Sequence, residues 1–134
     1  MPVSRRFSIL LFLLLLAVAC REPRSVEQFI AGDGPFVFRV DFSDSTAVYD
    51  MNLYTRVDAH VFPPEQALLM RWQSPSDSVY RETVYLPLSR EVYVPYRQGV
   101  APYEWGEWTL TVSSPSPWPV GLRGLGLVVR KQER

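Results

Sequence analysis

Cysteine and histidine are almost absent from this chain: each occurs once in 134 residues, as Cys20 and His60. A lone cysteine cannot form an internal disulfide, so the fold must stand on its hydrophobic core. A lone histidine near Pro63 and Pro64, with no second imidazole to join it, makes no zinc site and reads as a loop residue. An excess of one charge is lacking too. There are 14 basic and 14 acidic side chains, and no basic patch argues for nucleic acid. No apolar run reaches the roughly 20 residues that a membrane-spanning helix requires. No phosphate-binding glycine motif and no Gly-x-Ser-x-Gly elbow is present, so nucleotide chemistry and serine hydrolysis have no motif to rest on. Sustained helical periodicity is missing as well, and 12 prolines argue against long helices.

What is present begins with a processing signal. Arg5 and Arg6 precede 11 residues, 9–19, that carry no polar side chain. This basic-then-apolar arrangement is that of a secretory signal peptide. Ala17, Val18 and Ala19 are small, as a signal peptidase needs next to its scissile bond, and Cys20 follows directly. A thiol at that place resembles the lipobox of bacterial lipoproteins, in which the cysteine is lipidated and becomes the first residue of the mature chain. The leucine usual three places before the cysteine is replaced by Ala17, with Leu16 one further back. The expected division is a signal at 1–19, a lipidated N-terminus and tether at 20–34, and a folded domain at 35–131. Removing Arg5 and Arg6 with the signal leaves 12 basic against 14 acidic side chains, a net charge of −2.

Residues 21–34 are mostly polar and end in Gly-Asp-Gly, a turn signal. They read as a spacer from the headgroups, although the piece at 26–30 could pair as a short strand. Strict alternation then begins. Phe36, Phe38, Val40 and Phe42 share one face, with Arg39 and Asp41 on the other. Tyr49, Met51, Leu53, Thr55 and Val57 face inward in the next segment, and Leu68, Met70 and Trp72 in the third. Residues 79–86 are rich in Val, Tyr and Thr, which suit a pleated surface. Residues 91–96 form a short strand, placed at an edge by Pro95, and 98–105 form a loop. Trp108, Leu110 and Val112 point inward from a strong strand, and 122–131 close the domain. Gly121, Gly124 and Gly126 there signal a bulge or a close approach of neighbouring backbone. About seven short strands with turns between them predict an all-β fold, a single antiparallel β-sandwich of immunoglobulin-like or jelly-roll-like type.

Few residues suggest chemistry. Asp41, Asp44 and Asp50 cluster around the first turn, but calcium needs several convergent oxygens, and turn solvation explains them. Glu104 and Glu107 are too close along the chain to face each other across a glycosidase cleft, and read as surface. The aromatics carry more information. Trp72 and Trp108 fall on inward faces and belong to the core. Trp105 and Trp118 fall in loops, with Tyr93, Tyr96 and Tyr103 near in sequence. Such residues either anchor a protein or sugar interface or plug the ends of the sandwich.

Together these segments resemble a known family. Phe36-Val-Phe-Arg-Val-Asp-Phe42, Tyr49-Asp-Met-Asn-Leu-Tyr-Thr-Arg56, Ala67-Leu-Leu-Met-Arg-Trp72 leading to Ser74-Pro75, Thr83-Val-Tyr-Leu-Pro-Leu88, Gly106-Glu-Trp-Thr-Leu-Thr-Val112 and Leu125-Gly-Leu-Val-Val129 are similar, in that order, to GldH-type gliding-motility lipoproteins of Bacteroidetes. The resemblance covers nearly the whole mature chain, each motif being mostly strand pattern. Two loops depart from the family, at 89–103 and 114–118. The resemblance implies a lipid-anchored envelope protein, in the outer membrane, that supports the gliding or associated secretion machinery through other envelope proteins. Members also occur in species that do not glide. It implies no catalytic residue and no cofactor.

The expected function is therefore protein binding at 89–105 and 114–119, with a glycan-binding surface lipoprotein as the alternative. The two loops meet only if both emerge from the same end of the sandwich. The membrane contact is expected through the lipid on Cys20. Cys20→Ala should move the protein from the membrane to the soluble fraction, because stable anchoring needs the acyl chains. Full sedimentation of that variant with membranes would exclude the assignment.

Overall fold

The computed structural model describes residues 24–57, 65–88 and 93–133. Cys20 with the expected signal, His60 and residues 89–92 lie outside the described residues. Eight strands are formed: β1 Ser25–Ala31, β2 Phe36–Asp41, β3 Ala47–Val57, β4 Glu65–Gln73, β5 Val79–Pro87, β6 Val94–Val100, β7 Glu107–Ser113 and β8 Leu122–Glu133. They make two four-stranded sheets, ordered β1-β8-β3-β6 and β2-β7-β4-β5. Every pairing is antiparallel. The expected β-sandwich is the fold.

Of the two sandwich types left open, the strand order selects the jelly roll. β1 pairs with β8, β2 with β7, β3 with β6 and β4 with β5. The first half of the chain thus lies against the second as one long antiparallel ribbon, rolled so that successive pairs alternate between sheets. Among the described residues, the only connection between neighbours of one sheet is the turn at 74–78, which is the tip of the ribbon. Ser74, buried there, holds it. Its N–H donates to the Ser78 carbonyl at 2.9 Å, and its Oγ accepts from the Ser78 N–H at 3.0 Å.

The core follows the alternation read from the sequence. Phe36, Phe38 and Val40 from β2, Leu68, Met70 and Trp72 from β4, and Trp108, Leu110 and Val112 from β7 are all buried. They meet Tyr49, Met51 and Leu53 of β3 and Leu125, Leu127 and Val129 of β8 across the layer. In β3 the alternation breaks near its end. Tyr54 and Thr55 are both buried, and the register with β8 shifts between Thr55 and Val57.

Two boundaries differ from the expectation. The sandwich begins at Ser25, not at 35, because β1 pairs with β8 over its whole length, from Ser25 against Arg130 to Ala31 against Gly124. β1 is an edge strand that buries no side chain completely, so its sequence shows no core-facing alternation. Residues 98–100, read as loop, belong to β6, where Val100 pairs with Tyr49. Pro95 is tolerated because β6 is the other edge of that sheet.

The ladder directions define two ends. The near end collects the start of β1, the ends of β6 and β8, and the connections at 42–46, 74–78 and 101–106. The far end collects the connections at 32–35 and 114–121 and the start of β6.

The glycines of β8 make room for neighbours. A Cβ on Gly124 would stand 2.3 Å from the Ile30 carbonyl oxygen, and one on Gly126 would stand 2.1 Å from the Tyr54 ring. Gly126→Ala should therefore destabilise the fold by about 1–3 kcal/mol, the usual cost of overpacking. Adding Tyr54→Ala removes the overlap, so denaturant titration should show the double change costing less than the sum of the two singles.

Candidate functional site

The slot over Gly126 builds an aromatic row across the outer face of the β1-β8-β3-β6 sheet. Tyr54 points outward from β3 and yet is only 5% exposed. Its ring lies over the bare Gly126 and is flanked on both sides. Phe29 of β1 stacks on it with centroids 5.9 Å apart and an angle of 21°. Tyr93, just before β6, packs from the other side at 5.0 Å. The Arg56 guanidinium sits 4.3 Å from the Phe29 ring centroid, within cation–π range. The Tyr54 hydroxyl donates to Glu27. Burial, then this bond to Glu27, push the Tyr54 phenol up to about 12. Tyr93 remains 53% exposed, and Arg56 and Glu27 are exposed beside it. The row is thus an ordered aromatic surface with one cation and one carboxylate at its border.

A second aromatic site opens at the near end. There a cleft of ≈ 500 Å³ lies between Phe42, Trp72, Val100, Pro102, Tyr103 and Trp108, with Tyr80 and Arg97 also lining it. Its volume is that of an ordinary small-ligand pocket. Its floor is the aromatic part of the core, where Phe42 packs edge-on against Tyr49 at 4.7 Å. Tyr96 stands behind it, stacked on Trp72 at 6.5 Å and 2°. The Trp72 Nε1 donates to the Tyr96 hydroxyl at 2.8 Å, and that hydroxyl donates to Glu82, which also pairs with Arg97. Burial, then Glu82, raise the Tyr96 phenol above its ordinary range.

The five aromatics singled out in the sequence therefore divide. Tyr93 belongs to the outer row. Tyr103 and Trp105 project at the near end, 74% and 58% exposed. Tyr96 is tied into the core by its hydrogen bonds. Trp118 is at the far end, where it packs on Phe36 at 5.1 Å and donates its Nε1 to the Leu122 carbonyl at 3.2 Å. It plugs the sandwich. Trp105 and Trp118 cannot share one interface, because β7 separates their loops by seven residues of strand, about 23 Å. The 114–118 loop is itself fastened from below, since the buried Gln66 donates to the hydroxyls of Ser114 and Ser116.

The row's other members were not singled out from the sequence. Phe29 lay in the segment read as a spacer, and Tyr54 and Arg56 lay among ordinary strand residues. The signal that was available is Gly126, a strand glycine whose slot has to be filled by a large neighbour.

The carboxylates find local partners. Asp41 accepts from the Ser43 N–H at 2.9 Å. The Thr46 hydroxyl and N–H, in that order, hold the Asp44 carboxyl below its ordinary range, and Lys131 lies 3.3 Å away. Asp50 accepts from the Gly99 N–H at 2.7 Å, and Gln132 donates to its other oxygen. Glu104 accepts from the Ser76 hydroxyl at 2.7 Å, and Glu107 pairs with Arg39. Among the described residues no group of three His, Cys, Asp or Glu side chains stands close enough to hold a metal ion. No known family model matches the chain, and no curated protein matches it.

The Tyr54 phenol makes stability depend on alkaline pH. Its folded value lies above its unfolded value, so the native state keeps a proton that the unfolded chain has released. The stabilisation is complete below about pH 10 and is lost as pH rises toward 12. Tyr54→Phe should make stability fall less steeply over that window, read as denaturation midpoints at several pH values. A part of the slope should remain, because burial also raises Tyr49 and Tyr96.

Proposed function

We propose that this chain is a non-enzymatic, lipid-anchored protein of the cell envelope that works by binding other envelope proteins, in keeping with its resemblance to GldH-type lipoproteins. The lipid on Cys20 supplies the membrane attachment, and the gliding or associated secretion machinery is the setting that the resemblance implies. The observation that carries the binding role is the outer aromatic row of Phe29, Tyr54 and Tyr93 with Arg56. Tyrosine and arginine are the residue types that dominate interface hot spots. This row is already packed, so a partner that covers it orders little that is not ordered before contact. It replaces the pairing of Trp105 with Trp118 as the binding surface, since those two emerge at opposite ends.

One feature favours a sugar instead. Tyr93 is 53% exposed, and exposed aromatic rings also stack on glycan rings. Both readings use the same side chains and separate in one experiment. The native lipoprotein is crosslinked in its own envelope and its partners are recovered. Tyr93→Ala with Arg56→Ala should weaken partner capture by about thirtyfold, which corresponds to a 2 kcal/mol hot spot. Membrane attachment and the circular-dichroism spectrum should stay unchanged. Loss of retention on polysaccharide alone would establish the glycan reading, and full retention of all partners would remove the row from the binding site.

A further inference from the structure

Where the chain leaves the sandwich decides which end meets the membrane. The Arg24 carbonyl accepts from the Lys131 N–H at 2.6 Å, and Ser25 opens β1 opposite Arg130. Both contacts lie at the near end. Cys20 stands five residues before Ser25. Even fully extended, five residues reach only about 17 Å. A lipid on Cys20 therefore holds the near end close to the bilayer, whereas the far end lies a strand length, about 23 Å, from the chain exit.

Among the described residues, the same end presents the most exposed large aromatics of the connections. Tyr103 is 74% and Trp105 58% exposed, with Ala101 and Pro102 beside them. The loop that carries them is fastened at several points. The Gly106 N–H donates to the Phe42 carbonyl at 3.2 Å, and the Phe42 N–H donates to the Gly106 carbonyl at 2.8 Å. The Trp108 Nε1 donates to the Glu104 carbonyl at 2.9 Å, and the Glu104 carboxylate accepts from Ser76. Gly106 has a φ of +137° and sits against Pro75, where a Cβ would come within 2.9 Å. Tyr103 rests edge-on against Trp108 at 5.2 Å. A rigid loop thus holds two amphipathic rings out from the surface. Tryptophan and tyrosine are the side chains that favour the headgroup level of a bilayer. Asp41, Asp44, Asp77, Glu104 and Glu107 share this end with Arg24, Arg39, Arg130 and Lys131, so neither sign of charge dominates. That mixture suits a zwitterionic lipid surface and gives no electrostatic attraction to an anionic one.

We infer that Trp105 and Tyr103 insert at the bilayer–water interface as a second, aromatic contact beside the lipid, and so set the domain upright with its far end and outer row directed away from the membrane. This rests on the lipid anchor at Cys20. A second contact, made by aromatic rings of the folded domain, adds orientation that a single point of attachment cannot supply.

The test uses the lipoprotein purified from membranes and reconstituted in phosphatidylcholine vesicles. Some of the lipid is brominated high on its acyl chains, where it quenches only shallow tryptophans. Trp72 and Trp108 are buried, and Trp118 is at the far end, so Trp105 should carry the quenching. Trp105→Phe should abolish most of it, and Trp118→Phe should leave it intact. Potassium chloride up to molar concentration should not change it. Quenching that survives Trp105→Phe, is lost with Trp118→Phe, or is absent in vesicle-bound protein would overturn the interfacial contact while leaving the anchor standing. A chain whose Cys20 carries no acyl mass and that does not float with vesicles would overturn both.

Discussion

Everything in this molecule depends on the first half of the chain lying down on the second in one register. The pairs β1–β8, β2–β7, β3–β6 and β4–β5 form a single ribbon, and the turn at its tip is held by Ser74. A slip of one residue would turn every inward side chain outward. The register is secured where the faces differ most, as in β2, whose residues alternate between fully buried and exposed along its whole length. The final pair, β1 on β8, brings together residues near the two ends of the chain. Pairings of such long range are intrinsically slow to form. Closing that pair also completes the surface features, because Phe29 reaches its place beside Tyr54 only when β1 is docked.

The rolled ribbon sorts the aromatics by role. Those facing inward from β4 and β7 fill the core, with Trp72 and Trp108 meeting at 6.3 Å. Those in connections are divided between two ends that the strands keep apart. One ring that faces outward, Tyr54, is buried nevertheless, because Gly126 leaves a slot under it. Surface glycine and surface aromatic are in this way one feature, and the outer row exists because β8 gives up a side chain.

The proposed binding role and the proposed membrane contact use different parts of this arrangement. The near end carries the chain exit and the exposed rings of Tyr103 and Trp105. The outer row lies toward the far end, since Tyr54 pairs with Gly126 close to the end of β3. Attachment at one end and recognition toward the other is the geometry of a protein that presents a surface to partners from a fixed base.

The alternating faces of β2, β3, β4 and β7 could be read directly, because strands with one face in the core must repeat with a period of two. The expected signal and the expected lipidation of Cys20 likewise rest on local patterns. Trp72 and Trp108 were legible as core for the same reason. β1 was legible only as a possible short strand at 26–30, because it is an edge strand with no fully buried side chain, and its partner β8 lies far along the chain. The last residues of β6 were missed on similar grounds, since Gln98 and Gly99 look like loop and are ordered by pairing with β3. Of the five aromatic candidates, Tyr103, Trp105 and Trp118 were told as loop but not near end from far, and Tyr93, read within a strand, stands just before β6. The sequence by itself determined the class of fold, the faces of its core strands and the place of the one cysteine, because these depend on neighbours a few residues away. Only the tertiary structure decided the jelly-roll order, the opposite placement of Trp105 and Trp118, and the aromatic row over Gly126. Those depend on which distant strands lie side by side, and no local spacing encodes that.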